Sequence, residues 1–157
     1  IAVDPWFIVD SAPGVSDLIR TAREVNDRKP YFVAEKAYQK AIEFIQANPD
    51  VPLKDVVITC FGLAFKPNID DLRESAAIDV VKLIKERLPS CKIQVVEPNI
   101  SNLPSKGELA NLDVQLVSFE AGLNGDVKVV SVAHKEFLEN DAHLKSQYTV
   151  NVAWDNT

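Results

Sequence analysis

Methionine is absent from the 157 residues, cysteine occurs only twice, and no apolar run approaches the length of a membrane span. Each shortage excludes something. Two cysteines cannot make a disulfide scaffold. Cys60 lies inside the apolar run Val56–Phe61 and reads as a small core hydrophobe. Cys91 stands between Ser90 and Lys92, just ahead of an expected strand, and neither thiol has metal-ligand spacing to His134 or His143. No metal is therefore expected, and reduced thiols fit a cytoplasmic protein. A bilayer needs about 20 consecutive apolar residues, so no membrane partner is expected either. Ile1-Ala2-Val3-Asp4-Pro5 lacks the basic region of a signal peptide. Positive charge is also scarce, with 17 Lys and Arg against 23 Asp and Glu and a net charge of -6. That balance argues against nucleic acid, whose phosphates need a basic surface. A chain that starts at Ile1 without any methionine is expected to be a piece of a longer protein whose start lies upstream, with a processed or engineered N-terminus as the alternative.

What is present is 46% hydrophobic and 25% charged, enough for one ordinary domain with an extra element at one end. Asp4-Pro5 and Pro13-Gly14 read as breakers, so residues 1–15 are expected to be extended and turn-rich. Ser16 is an N-cap candidate for a helix carrying Leu18, Ile19, Ala22 and Val25. Pro30 should break or kink that helix near Lys29, because it lacks an N–H and its ring crowds the preceding turn. A second helix from about Tyr31 to Ala47 carries the stripe Tyr31, Ala34, Tyr38, Ala41, Ile45, widened by Val33, Ala37 and Phe44. A stripe this wide either packs on its own domain or also meets a partner subunit or another domain. After Asn48-Pro49 the pattern changes. The continuous run Val56–Phe61 reads as a strand buried on both faces. A helix from Asp71 or Glu74 to Leu88 follows, then a strand over Lys92–Glu97. Further strands are expected at Val114–Ser118, Val127–Ala133 and Tyr148–Val152, with short helices at Phe119–Leu123 and His134–Glu139. This alternation predicts an α/β, Rossmann-like, doubly wound and mostly parallel sheet with right-handed crossovers, preceded by a long helical element kinked at Pro30. The domains predicted are 1–50, a central helical and dimerisation segment, and 51–157, a C-terminal Rossmann-like domain.

Ligands of open parallel sheets bind beyond the carboxyl ends of the strands. There the first strand runs into Phe61-Gly62-Leu63-Ala64-Phe65-Lys66-Pro67-Asn68-Ile69-Asp70-Asp71-Leu72-Arg73-Glu74-Ser75. One glycine stands where a dinucleotide loop needs three, so this is not a pyrophosphate-cradling turn. It offers two cations instead, Lys66 and Arg73, either of which could neutralise a phosphate. Asp71 and Glu74 have the spacing of a capping box at the start of the next helix. On spacing alone, a phosphate site and a solvated, salt-bridged loop stand even.

Those fifteen residues resemble the signature of the UDP-glucose/GDP-mannose dehydrogenase family in its UDP-binding domain. Ile1-Ala-Val-Asp-Pro-Trp-Phe-Ile-Val9 resembles the segment that follows the family's nucleophilic cysteine. Leu18–Asp27 and Val95-Val-Glu-Pro-Asn-Ile100 resemble the subgroup acting on UDP-N-acetylmannosamine. The resemblance implies an NAD-dependent oxidation of a sugar C6 alcohol, through an aldehyde and a cysteine thioester, to a carboxylate. A thiolate suits this as a nucleophile that forms a hydrolysable acyl intermediate. It also implies roles for particular residues. Asp4 would assist the water that hydrolyses the thioester; read without the resemblance, it is a turn aspartate before Pro5. Phe65 and Lys66 would contact the UDP-sugar, Lys66 at a phosphate, and Arg73 would reach the NAD. The helices over 16–47 would form much of a homodimer interface. The nucleophile and the NAD domain would lie outside this chain, so the chain alone is expected to be inactive. A non-catalytic UDP-binding or dimerisation module is the alternative. One departure stands near the C-terminus: the family's last strand runs into an acid, a basic residue and glycine, whereas here Val150-Asn151-Val152-Ala153-Trp154-Asp155 has neither cation nor glycine.

Overall fold

A computed structural model describes residues 3–154. Five parallel strands make one sheet in the order β3-β2-β1-β4-β5, with β1 at Val57–Phe61, β2 at Lys92–Val96, β3 at Val114–Leu116, β4 at Val127–Val130 and β5 at Thr149–Asn151. β1 is central, paired with β2 on one side and β4 on the other, which is why all but its first residue are buried. The expected Rossmann-like α/β architecture is present, and the sheet is parallel throughout.

Helices cover the two faces unequally. On one face lie α3 (Lys29–Ala47) and α4 (Ala76–Arg87), which pack against each other, and α3 also crosses β4 and β5. Their small and branched residues Val33, Ala34, Ala37, Ala41, Val81 and Ile84 meet Ile58, Cys60, Ile93, Val95, Val127 and Val129 in the main core. The stripe predicted on α3 thus covers its own sheet. Tyr31 and Phe32, on its first turn, are left 59% and 53% exposed. The opposite face has a smaller core in which Phe61, Phe119 and Phe137 meet edge-on or stacked, beneath α5 (Phe119–Gly122), α6 (Lys135–Glu139) and α7 (Asp141–Leu144).

Three local expectations need correction. Residues 4–11 form a helix, α1 (Asp4–Ser11), not an extended segment. Asp4-Pro5 does not break it because Pro in the first turn loses no helical hydrogen bond and an acid there suits the helix dipole. Ser16 does precede α2 (Asp17–Asp27), but its side chain makes no cap bond, and its buried Oγ finds no partner. α4 begins at Ala76, where Ser75 Oγ accepts from the Ala77 N–H, so Asp71 and Glu74 form no capping box. Pro30 acts as predicted: α2 ends at Asp27, α3 starts at Lys29, and Pro30 occupies its first turn. Leu18 and Val25, expected on this helix and found there, are 83% and 63% exposed, and α2 buries no residue.

Candidate functional site

The loop from Gly62 to Ser75 leaves the carboxyl end of β1 and is fastened at four places. Gly62 begins it at φ +88, a conformation side-chained residues rarely adopt. A Cβ there would lie 2.5 Å from the Val132 Cβ and 2.9 Å from the Val132 backbone nitrogen. The next fastening is Glu97, the residue after β2. Its Oε2 accepts hydrogen bonds from the Leu63 N–H (2.8 Å), the Ala64 N–H (2.9 Å) and His134 Nε2 (3.0 Å). Its Oε1 accepts from the Asn99 N–H and from Asn99 Nδ2. Further out, the Phe65 N–H donates to the Asp71 carbonyl at 2.8 Å, closing the loop on itself. At the tip, Asn68 is bonded to the turn after β4: its N–H donates to His134 Nδ1 (2.9 Å), and its Oδ1 accepts from the Lys135 N–H (2.8 Å) at the start of α6. Asn68 sits at φ 61, a left-handed conformation that asparagine tolerates.

Glu97 and His134 are both buried. Burial by itself pushes the Glu97 carboxyl up; the hydrogen bonds from His134, the Leu63 N–H and Asn99 outweigh it and hold the carboxyl at about 2. The bonding also fixes the imidazole tautomer. A backbone N–H can only donate, so Nδ1 must accept from Asn68; the proton is then on Nε2 and points at Glu97. Neither Glu97 nor His134 was singled out from the sequence as part of a site. The signal available was an acid at the carboxyl end of the second strand and a histidine beside an apolar run, both ordinary in isolation.

The loop so held presents its functional side chains outward. Phe65 is half-buried and lies on the wall of a cleft of about 950 Å³. Arg73 and the first turn of α4 line the same cleft, as do Val3 and Trp6 of the α1 region, on either side of Asp4 in sequence. Arg23, Asn26 and Asp27 of α2 and the segment Pro104–Leu109 complete it. The structure therefore gathers Phe65, Arg73 and the helix that carries Asp4 around one cleft. Lys66, the next residue along the chain, is exposed, with Nζ 5.5 Å from the Phe65 ring and no ion pair among the described residues. Arg73 is 87% exposed, and its Nε and Nη2 grip both oxygens of Asp71. That contact holds the Asp71 carboxyl at about 2 and raises Arg73 in turn. Lys106, the other cation with no ion pair here, faces the cleft from the Pro104–Leu109 segment. No group of three or more His, Cys, Asp or Glu that could hold a metal occurs among the described residues.

Residues 59–155, most of the sheet and this loop, match the UDP binding domain of the UDP-glucose/GDP-mannose dehydrogenase family. The chain belongs to that family. It is 46% identical over 154 residues to the NDP-N-acetyl-D-galactosaminuronic acid dehydrogenase of Ralstonia nicotianae, covering 96% of this chain and 33% of that protein. It is also 46% identical over 156 residues to the UDP-N-acetyl-D-mannosamine dehydrogenase of Escherichia coli (strain K12), covering 96% of this chain and 35% of that one. The chain thus spans about a third of the length of these dehydrogenases. The solved UDP-N-acetyl-mannosamine dehydrogenase Cap5O from S. aureus superposes with a TM-score of 0.61 at 26% identity, over 95% of this chain and 31% of that one. A UDP-D-ManNAc dehydrogenase structure from Pyrococcus horikoshii gives 0.65 at 23% identity, over 99% and 34%, and supports the fold alone. The fastened loop, Gly62–Ser75, lies within the matched residues.

Proposed function

We propose that this chain is the nucleotide-binding third of an NAD-dependent UDP-sugar 6-dehydrogenase, and that it holds the UDP diphosphate at the Phe65–Lys66 segment. The observation that carries the reading is the loop itself. Its backbone is fastened at both ends and at the tip, while Lys66 is left unpaired next to Phe65, which lines a cleft with Arg73. A preorganised loop with an uncommitted cation suits an anion whose position must be held while chemistry proceeds further along the molecule. Titration of UDP by calorimetry tests it. Lys66→Ala should weaken binding by about tenfold, the scale of one charge-assisted hydrogen bond, and an unchanged affinity would remove Lys66 from the site.

In the whole enzyme the sugar C6 alcohol is oxidised to a carboxylate, with NAD supplying the hydride acceptor. Asp4, on the first turn of α1 between Val3 and Trp6 of the cleft wall, is the residue of this chain proposed to act on the water that releases the product. Arg73 is the residue of this chain proposed to reach NAD; nothing in the Gly62–Ser75 turn could cradle a dinucleotide pyrophosphate. Neither cysteine here is the nucleophile. Cys60 and Cys91 are buried, and burial pushes the Cys60 thiol to about 12 and Cys91 upward as well. The chain alone is therefore proposed to be inactive, and a coupled NADH assay with UDP-N-acetylmannosamine should show no turnover. We assign residues 1–50 as the central helical segment and 51–157 as the UDP-binding domain. The exposed Leu18, Val25, Tyr31 and Phe32 support a homodimer contact through 16–47, and cytoplasmic nucleotide-sugar metabolism is the setting proposed. UDP-N-acetylmannosamine is the preferred substrate. The equal identity to a dehydrogenase named for N-acetylgalactosaminuronic acid supports a UDP-N-acetylgalactosamine-type substrate as the second reading. A candidate reaction with each UDP-sugar in the full-length enzyme separates the two.

A further inference from the structure

We propose that His134 is a positioning residue for the nucleotide loop: as the Nε2–H imidazole it ties the loop tip at Asn68 to the Glu97 anchor. The inference rests on the reading of Phe65–Lys66 as the diphosphate site, but its structural half stands without it. His134 lies at the one point where three separate segments meet. Its Nδ1 accepts from the Asn68 N–H at 2.9 Å and is 3.1 Å from Asn99 Nδ2; its Nε2 donates to Glu97 Oε2 at 3.0 Å. The same Glu97 oxygen holds the Leu63 and Ala64 N–H groups at the loop's base. Glu97 and His134 together therefore connect the base and tip of the segment that carries Phe65 and Lys66. The ring is fully buried and packed edge-on against Phe137, so it cannot turn aside to exchange partners.

A side chain without an acceptor at the Nδ1 position would leave the Asn68 N–H and the Asn99 Nδ2 group with one partner fewer. The Asn68 Oδ1 bond to the Lys135 N–H remains as the second tie at the tip, so loss of the His134 contact is expected to loosen the loop and not to unfold the domain.

The 157-residue chain is the test object, at pH 7.5. Nitrogen-15 spectra of the imidazoles report the tautomer, and amide hydrogen exchange reports Asn68, Leu63 and Ala64. The expected result is an Nε2–H tautomer at His134. In His134→Ala, exchange at the Asn68 amide should accelerate by about tenfold, the scale of one lost hydrogen bond, while in His134→Asn, which keeps an acceptor for Asn68, it should stay within about twofold of wild type. An Nδ1–H tautomer, or an Asn68 amide indifferent to His134→Ala, overturns the proposal. The ligand reading uses UDP-N-acetylglucosamine. Its affinity should fall in His134→Ala and return to within about twofold of wild type in His134→Asn. Equal affinities of wild type and His134→Ala would overturn the positioning role. Absence of any binding by the wild type would overturn the nucleotide reading, while leaving the tautomer and exchange results to decide the loop contact.

Discussion

Replacing Glu97 by glutamine removes one charge and almost no volume, yet it should be among the costliest single changes in this domain. The carboxylate receives five hydrogen bonds, three at Oε2 and two at Oε1. Every partner is a donor. Glutamine has one acceptor oxygen and one NH2 group, so whichever way it is turned the NH2 meets donors. Facing Oε1's partners it leaves the Asn99 groups unmet; facing Oε2's it leaves Leu63, Ala64 and His134 unmet. A buried donor left without a partner costs about 1–3 kcal/mol, and the side chain is only 3% exposed, so water cannot fill in. The pKa gives a second route to the same quantity. A carboxyl held at about 2 when its ordinary value is 4.5 contributes of order 3 kcal/mol of folded-state preference. Urea unfolding at pH 7 should show Glu97→Gln less stable by about 2–4 kcal/mol. The sign with pH follows from linkage. Between about 2 and 4.5 the unfolded state binds the proton that the folded state refuses, so the Glu97 contribution is complete above about 4.5 and lost as pH falls toward 2. The gap between wild type and Glu97→Gln should therefore narrow on acidification through that window, with Asp71 and Asp141 titrating alike in both and cancelling. A variant within about 0.5 kcal/mol of wild type at pH 7 would refute the claim that this carboxylate anchors the loop.

Gly62→Ala should be destabilising for a different reason: the backbone is left-handed and the new methyl would press on the Val132 main chain, so a loss of about 2 kcal/mol, or several degrees in the melting temperature of a domain this size, is expected in a thermal scan. Asp71 should titrate at about 2 by carboxyl carbon-13 shift in the wild type and rise toward 3.8 without reaching it in Arg73→Ala, because the guanidinium is the main cause of the lowering and the backbone N–H of residue 73, which also donates to Asp71, survives. Both thiols should be unreactive toward a disulfide reagent in the native state and react fully in urea; rapid native labelling of Cys60 would contradict its burial and its raised pKa.

The periodic parts of the fold were legible in the residues. Val56–Phe61 is apolar but for Thr59 and Val127–Val130 but for Lys128, the pattern of strands covered on both faces. Pro30 divided the two long helices where its missing N–H required. What escaped reading was set by contacts distant in sequence. Asp4-Pro5 is a breaker inside a helix and a favourable start at its beginning, and the pair alone does not say which. Asp71 and Glu74 had the spacing of a cap, but Asp71 is engaged with Arg73 and Glu74 is left-handed at φ 55, so Ser75 took the role. Of the candidate site, the outward-facing residues Phe65, Lys66 and Arg73 lay within one contiguous stretch and could be found there. The residues that hold this stretch, Glu97 and His134 with Asn99 beside them, come from two other strand ends; their bonds to it span 33 or more positions and carry no local mark.

The position of Glu97 explains why this sheet recognises a nucleotide differently from a dinucleotide fold of similar outline. An acid at the carboxyl end of the second strand is where dinucleotide-binding sheets keep the residue that accepts the ribose hydroxyls, facing a glycine-rich turn after the first strand. Here the same two places are occupied by Glu97 and by the Gly62–Ser75 loop. The acid has turned inward: its oxygens already accept five hydrogen bonds and have no capacity for a ribose. A turn too long and too side-chained to cradle phosphate with its own N–H groups spends two of them, Leu63 and Ala64, on that acid. On the proposed reading, recognition comes instead from side chains on the outer surface of the loop, where Lys66 stands. A cation on a flexible stem holds an anion well only if its backbone is fixed, and the buried carboxylate and imidazole supply that fixity. The absence of a glycine-rich cradle and the inward turn of Glu97 are in this sense coupled: the acid that stands where a dinucleotide fold reads the ribose fastens the loop proposed to hold the diphosphate.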